Sequence, residues 1–269
     1  MAERNVKLAL VQMNSVKGDL DENLNTIEKY AKAAGKEHAD LIVFPELCTC
    51  GYYSDVYLHH REQASFQTDD GRMKRLMKIA KENHLNMVVG TMLRREDTYT
   101  NSAVLIDDSG KVLHIHDKVF LWDDENLAFS GGKEFSVIEM PFGKLGMMIC
   151  YDAGFPENAR SMALQGAELI VTPAAFAKTK TQRYRWETYF RSRALENTCY
   201  VVGINAAGGE GENIFFGNNV LFDPNGYQIS AGCDDTEEMQ MIQIDLNKAD
   251  WSHKMESYLG EIYKRKEGC

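Results

Sequence analysis

Short apolar runs alternate with amphipathic stretches through most of this chain, and that alternation limits the fold more than any other feature. The run VKLALVQ at 6–12 reads as a buried strand. A helix follows over 20–36, where Leu20, Leu24, Ile27, Tyr30, Ala31 and Ala34 recur near the 3.6-residue period. Further strands are expected over 41–44, 86–92, 145–150, 169–172 and 200–205. Helices are expected over 71–83, 156–165 and around 182–197, the second opening on Pro156. The turn signal Asp107-Asp108-Ser109-Gly110 joins strands at 103–106 and 112–116. Hairpin-like strands at 219–222, 228–231 and 239–244 complete the pattern. Strands that alternate with helices and then pair as hairpins imply mixed α/β layers around one core. No repeat, low-complexity stretch or linker interrupts the chain, so a single domain is expected over 1–253. The charged stretch 254–269 reads as a tail or an arm reaching another copy.

Charge and composition exclude several classes. Thirty basic against forty acidic side chains give −10, whereas a dedicated nucleic-acid binder needs a basic face. No apolar run approaches the roughly 20 residues that span a bilayer, and the opening MAERNVKLALVQMN lacks signal-peptide architecture. A cytoplasmic protein with reduced thiols is expected. The six cysteines, at 48, 50, 150, 199, 233 and 269, form no disulfide-framework pattern, and neither they nor the scattered histidines have zinc-ligand spacing. No metal is expected.

Three segments share one design, an apolar strand that ends in a reactive side chain. LIVFPEL carries Glu46, HIHDKVF carries Lys118, and KLGMMICYD carries Cys150. Strand ends are where α/β folds display functional groups. A thiol, a carboxylate and an ammonium together suit acyl transfer: the carboxylate takes the thiol proton, the sulfur attacks, and the ammonium steadies the oxyanion. Lys118 nearby would favour thiolate. Taken singly, each has a plainer reading. Cys150 fits a small buried hydrophobe, Glu46 a turn carboxylate and Lys118 a surface charge beside Asp117. Cys48 and Cys50 read as packing thiols, or at most as redox targets.

In order and in context, these segments resemble the nitrilase, or carbon–nitrogen hydrolase, superfamily over essentially the whole chain. Phe44-Pro45-Glu46-Leu47 is similar to its glutamate motif, Asp117-Lys118-Val119 to its lysine motif and Gly146–Asp152 to its cysteine motif. The stretches 155–176, 193–208 and 216–226 follow the family pattern downstream. The resemblance implies a four-layer αββα sandwich in which Cys150 is the nucleophile and Glu46 the general base. Lys118 and the backbone N–H of Tyr151 would bind the oxyanion. Glu125, four residues before Phe129 and seven before Gly132, matches a second family glutamate that positions the lysine and the substrate. No cofactor is implied, and a homodimer or larger homo-oligomer is, with the helices at 157–166 and 182–197 as candidate interfaces.

The chain departs from that pattern at three places. Phe120 stands where histidine is frequent, Gly131-Gly132 where Pro-Gly is usual, and Ala153-Gly154 where many relatives place a bulky or basic residue. The last departure weakens the case for a carboxylate-bearing substrate such as an ω-amide. Tyr151-Asp152 after the cysteine, rather than Trp-Glu, disfavours nitrile hydrolysis. A primary amide or an N-carbamoyl amine is therefore the expected substrate, with an ω-amide of a dicarboxylate, a nitrile, and a non-catalytic metabolite-binding role as alternatives. Tyr52, Tyr53, Trp122, Ala153, Gly154 and Phe176 are candidate pocket walls. The run 54–70, without clear periodicity and holding His59 and His60, reads as a lid or specificity loop.

Overall fold

The computed structural model describes residues 3–250 and 254–267. One six-stranded sheet is built from β1 (Asn5–Gln12), β2 (Leu41–Val43), β3 (Asn86–Arg95), β4 (Thr98–Ile106), β5 (Val112–Asp117) and, from far along the chain, β14 (Glu238–Asp245). Its order is β14-β1-β2-β3-β4-β5. The second contains β6 (Val137–Met140), β7 (Gly143–Met147), β8 (Leu169–Ala174), β9 (Tyr200–Asn205), β12 (Val220–Phe222) and β13 (Gln228–Ala231), in the order β13-β12-β9-β8-β7-β6. Each sheet has three parallel strands at its centre, β1-β2-β3 and β7-β8-β9, with antiparallel partners outside. The architecture thus repeats where the sequence does not. A separate hairpin joins β10 (Ala207–Glu210) to β11 (Asn213–Phe216).

Side-chain alternation in β1 explains the layering. Val6, Leu8 and Leu10 share a core with Leu145, Met147, Val171 and Val202 of the second sheet. Ala9 and Val11 point the other way, onto Leu24, Ile27 and Ala31 of α1 (Leu20–Lys36) and Leu76 and Ile79 of α4 (Gly71–Glu82). On the far side, α6 (Pro156–Leu164) and α7 (Lys180–Asn197) cover the second sheet through Ala159, Met162, Trp186 and Phe190. Helix, sheet, sheet and helix form the four layers of an αββα sandwich, one domain as the alternation predicts.

Two local expectations change. The cysteine strand stops at Met147, and Cys150 begins a 3-10 turn, Cys150–Gly154, three residues beyond it. The Asp152 carboxylate accepts the Ile149 N–H, which draws the chain out of the sheet. The run 54–70 is not an irregular loop: it holds the short helices α2 (Ser54–His59) and α3 (Arg61–Ala64), with Val56, Tyr57, Ala64 and Phe66 buried. Helices this short present too few turns for a 3.6 period to register. His59 and His60 are exposed. In the C-terminal stretch, α8 (Tyr258–Glu267) buries Leu259, and the Lys254 ammonium donates to the Asn197 and Thr198 carbonyls at the end of α7.

Candidate active site

The loops after β2, β5 and β7 bring Glu46, Lys118 and Cys150 together. Glu46 lies three residues past β2, on a turn pressed against β3. A Cβ on Gly90 would meet the Pro45 oxygen at 2.1 Å and the Glu46 Cα at 2.8 Å, so only glycine permits that approach. Lys118 directly follows β5. Its N–H donates to the Asn101 carbonyl on β4 (2.8 Å), and its own carbonyl accepts the Gly132 N–H (2.8 Å). Gly132 is confined likewise, because a Cβ there would lie 2.2 Å from the Asp117 oxygen.

The buried Lys118 ammonium is shared between two buried carboxylates. Nζ lies 2.7 Å from Glu46 Oε1 and 2.7 Å from Glu125 Oε2. The amide of Asn101 donates from one nitrogen to Glu46 Oε1 and to Glu125 Oε1, both at 2.8 Å. The Trp122 N–H holds Glu125 Oε2 at 2.6 Å, where Glu125 opens the short helix α5 (Glu125–Ala128). Glu125 therefore has both oxygens engaged, whereas Glu46 has only one. Glu46 Oε2 is buried without a hydrogen-bond partner.

Burial dominates the electrostatics. It lifts the pKa of Glu46, opposed by Lys118 and reinforced by Glu125. Burial would pull Lys118 down, but Glu125 and Glu46 outweigh it and hold the ammonium well above the usual lysine range. Cys150 is pushed well above an ordinary thiol by burial and then by Glu46, against Lys118. The sequence suggests that Lys118 would favour thiolate. In the fold its charge is spent on two carboxylates, and the resting sulfur keeps its proton.

The sulfur is held by its backbone. Cys150 has φ +47°, left-handed space that a β-carbon disfavours. Asp152, two residues on, ties this turn to the lysine loop. Its Oδ1 accepts the Val119 and Phe120 N–H groups (3.2 and 2.9 Å), while Oδ2 accepts the Ile149 N–H (3.0 Å) and meets His116 Nε2 (3.3 Å). Phe120, which replaces the frequent histidine, stacks on Phe155 with centroids 3.8 Å apart.

A cavity of about 190 Å³ opens onto the sulfur. Tyr52, Trp122, Tyr151 and Phe176 line it with Cys150. The Tyr52 ring centroid lies 5.7 Å from Lys118 Nζ. Tyr57 on α2, Asp123, Asp124 and Phe215 add to the wall, as do Gln182, Arg185 and Tyr189 from one face of α7. Three expected wall residues lie outside this lining. Tyr53 is extended, so it points away from its neighbour Tyr52 and packs by Gly51 and Lys17. Ala153 is buried, and its carbonyl and that of Gly154 are taken by the Arg193 guanidinium (3.0 and 3.1 Å). Cys48 and Cys50 are buried close to Glu46 in sequence, but their thiols donate to the Gly90 and Leu47 carbonyls. Burial pushes Cys50 up to about 12.

Sequence reasoning missed Asn101, Asp152 and Asn205. Asn205 pins the Phe176 wall, its side chain accepting the Phe176 N–H and donating to the Phe176 and Gly217 carbonyls. For Asp152 and Asn205 the signal is a single polar side chain beside an apolar run, where an unpaired polar group is costly, whereas Asn101, between Thr100 and Ser102, carries none. Among the described residues, no group of three or more His, Cys, Asp or Glu side chains is placed to hold a metal ion, and no described helix is long and apolar enough to cross a membrane.

Known proteins resemble this chain in sequence and fold. Residues 7–252 match the family described as carbon-nitrogen hydrolase. A probable nitrilase of Schizosaccharomyces pombe, C965.09, is 30% identical over 96% of this chain and 97% of its own. The omega-amidase NIT3 of Saccharomyces cerevisiae is 29% identical over 89% of this chain and 87% of its own. A structure of a variant amidase from Nesterenkonia sp. AN1, with acrylamide added to its active-site cysteine, superposes with a TM-score of 0.83 at 26% identity, covering 97% of this chain and 99% of that one.

Proposed function

We propose, since the chain belongs to the carbon–nitrogen hydrolase family, that Cys150, Glu46 and Lys118 hydrolyse a linear primary amide or N-carbamoyl amine through a thioester. The protein is an amidase-type enzyme; the residue roles are our reading. The observation that carries it is the unpartnered Oε2 of Glu46, a buried base with its other oxygen already fixed.

As Cys150 Sγ attacks the carbonyl carbon, its proton passes to Glu46 Oε2. Negative charge builds on the substrate oxygen, where Lys118 Nζ and the Tyr151 N–H receive it. Glu46 then returns the proton to the departing nitrogen, because an amide nitrogen leaves only when protonated. Ammonia departs and a thioester remains. Water gives a proton to Glu46 and attacks the thioester, the sulfur regains that proton, and the acid is released. Glu125 takes no proton in this cycle. It holds Lys118 in place so that neither the ammonium nor Glu46 Oε1 drifts. The scheme uses no metal and no organic cofactor.

The relatives' names divide between nitriles and amides, and Tyr151-Asp152 tips our reading to amides. The modified cysteine of the Nesterenkonia amidase supports a thiol nucleophile here. We also read the protein as a cytoplasmic homodimer. Free thiols at Cys48, Cys50, Cys150, Cys199 and Cys233 suit a reducing compartment, and exposed Tyr184 and Leu195 on α7 suit a paired face. Sedimentation tests the dimer. Ammonia release from a panel of amides, N-carbamoyl amines and nitriles tests the chemistry. Cys150→Ala is expected to lower it by about 10⁴-fold or more, and undiminished release by that variant sinks the mechanism.

A further inference from the structure

Helix α7 carries four arginines, and three have partners within the protein. Arg183 pairs with Asp234 at 2.9 Å, Arg191 donates to the Gly226 carbonyl at 2.8 Å, and Arg193 holds the Ala153 and Gly154 carbonyls and Glu196. Arg185 has no hydrogen bond or ion pair among the described residues, and it lines the cavity that opens onto Cys150. Gln182, Arg185 and Tyr189, spaced three and four residues apart, make one helical face toward that cavity. Its orientation is fixed from behind, since the fully buried Trp186 packs against Phe176, Phe190 and Phe216 with centroids 5.0, 4.5 and 5.8 Å away.

We propose that Arg185 binds a carboxylate at the far end of the substrate, so that the acyl group is short, linear and anionic. This rests on the amidase reading of Cys150. Cavity size favours a small acyl chain, as 190 Å³ lies below the roughly 300 Å³ at which drug-sized sites begin. Charge decides the rest. The other titratable walls and floor of the site include Glu46, Glu125, Asp123 and Asp124. Lys118 is already shared by the first two, and Asp124 accepts the Tyr57 hydroxyl at 2.6 Å. An entering carboxylate therefore needs a cation of its own, and a planar guanidinium free of protein partners supplies a two-point match. The basic anchor that the sequence lacks at Ala153-Gly154 is thus supplied from a different element. Monoamides of dicarboxylates and N-carbamoyl amino acids share this chemistry.

The test compares kcat/KM for 5-amino-5-oxopentanoate, N-carbamoyl-β-alanine, uncharged pentanamide and cationic 5-aminopentanamide. The native protein should prefer a carboxylate-bearing substrate over pentanamide by on the order of 10- to 100-fold. Arg185→Gln should bring that ratio close to one, mainly through KM, and Arg185→Lys should restore part of it. Whichever anionic substrate is better identifies its source. A native ratio near one, a preference for 5-aminopentanamide, or an equal loss on every substrate in Arg185→Gln overturns the proposal. Glutarate binding to Cys150→Ala, with and without Arg185→Gln, gives a reading that needs no turnover. Weaker binding with Arg185→Gln supports the anchor, and equal binding refutes it even if the amidase reading fails.

Discussion

The two sheets contribute to the site by different physics. The first supplies Glu46, Asn101 and Lys118, a buried polar group in which the Lys118 ammonium and the Asn101 amide nitrogen converge on Glu46 Oε1 while Glu46 Oε2 is left unpartnered. The second supplies Cys150, a group with no strong partner, held in place by a left-handed backbone and the Asp152 clasp. Hydrogen bonding fixes the proton-handling half, while backbone geometry fixes the nucleophile. The difference teaches which half is sensitive to charge and which to shape.

Breaking the charged half should give the largest effect. Lys118→Met leaves Glu46 and Glu125 buried beside one another without their cation, a change that costs about 3–5 kcal/mol in stability when an ion pair is broken from one side. The oxyanion loses its cation as well, so kcat/KM should fall by about 10³-fold or more. Denaturant unfolding and steady-state kinetics measure the two losses. A variant as stable as the native protein would contradict the view that Lys118 holds the two buried carboxylates together.

The sequence made the parts of this site legible and left their wiring hidden. Helix 20–36 emerges with its observed bounds because one face packs with a 3.6-residue period, and strand 200–205 because it is a short run buried on both faces. Glu46, Lys118 and Cys150 are legible because each ends or follows an apolar run. Asn101 is not, because its value depends on Glu46 and Glu125, 55 and 24 residues away. Arg185 is hidden for the opposite reason: four arginines on one helix look alike until three find partners. The break after Met147 is hidden as well, as Met148 and Ile149 are apolar enough to continue a strand; Met148 still donates to the Val171 carbonyl on β8, and the chain leaves the sheet where the Ile149 N–H turns to the Asp152 carboxylate.

Glu46→Gln sharpens the contrast, because it should separate activity from stability. Burial raises the pKa of Glu46, so the folded state holds this proton more tightly than the unfolded chain. Its stabilising share is complete below the unfolded carboxyl pKa of about 4.3 and is lost as pH rises through the folded value. A neutral amide removes that titration. Melting temperatures measured from pH 5 to 8 should shift progressively in favour of Glu46→Gln relative to the native protein, while kcat falls by about 10²- to 10⁴-fold. A stability difference that moves the other way with pH would mean that Lys118, not burial, governs this carboxylate.

The smallest effect is expected where the two halves are joined. In Asp152→Asn the remaining carbonyl oxygen can still accept the Val119 and Phe120 N–H groups, so the lysine loop keeps its place. The new NH₂ then faces the Ile149 N–H, donor against donor, and the turn before Cys150 loses its anchor. His116 can accept from that NH₂ in the appropriate tautomer, which limits the damage to the sulfur side. Loosening a nucleophile by a fraction of an ångström costs rate more than binding, so kcat should drop by about 10- to 100-fold with KM little changed. Thioester formation, followed in single turnovers, should slow by the same factor. If folding stability drops but single-turnover acylation keeps its native rate, Asp152 only braces the fold. The strained Cys150 turn would then hold itself without help from the lysine loop.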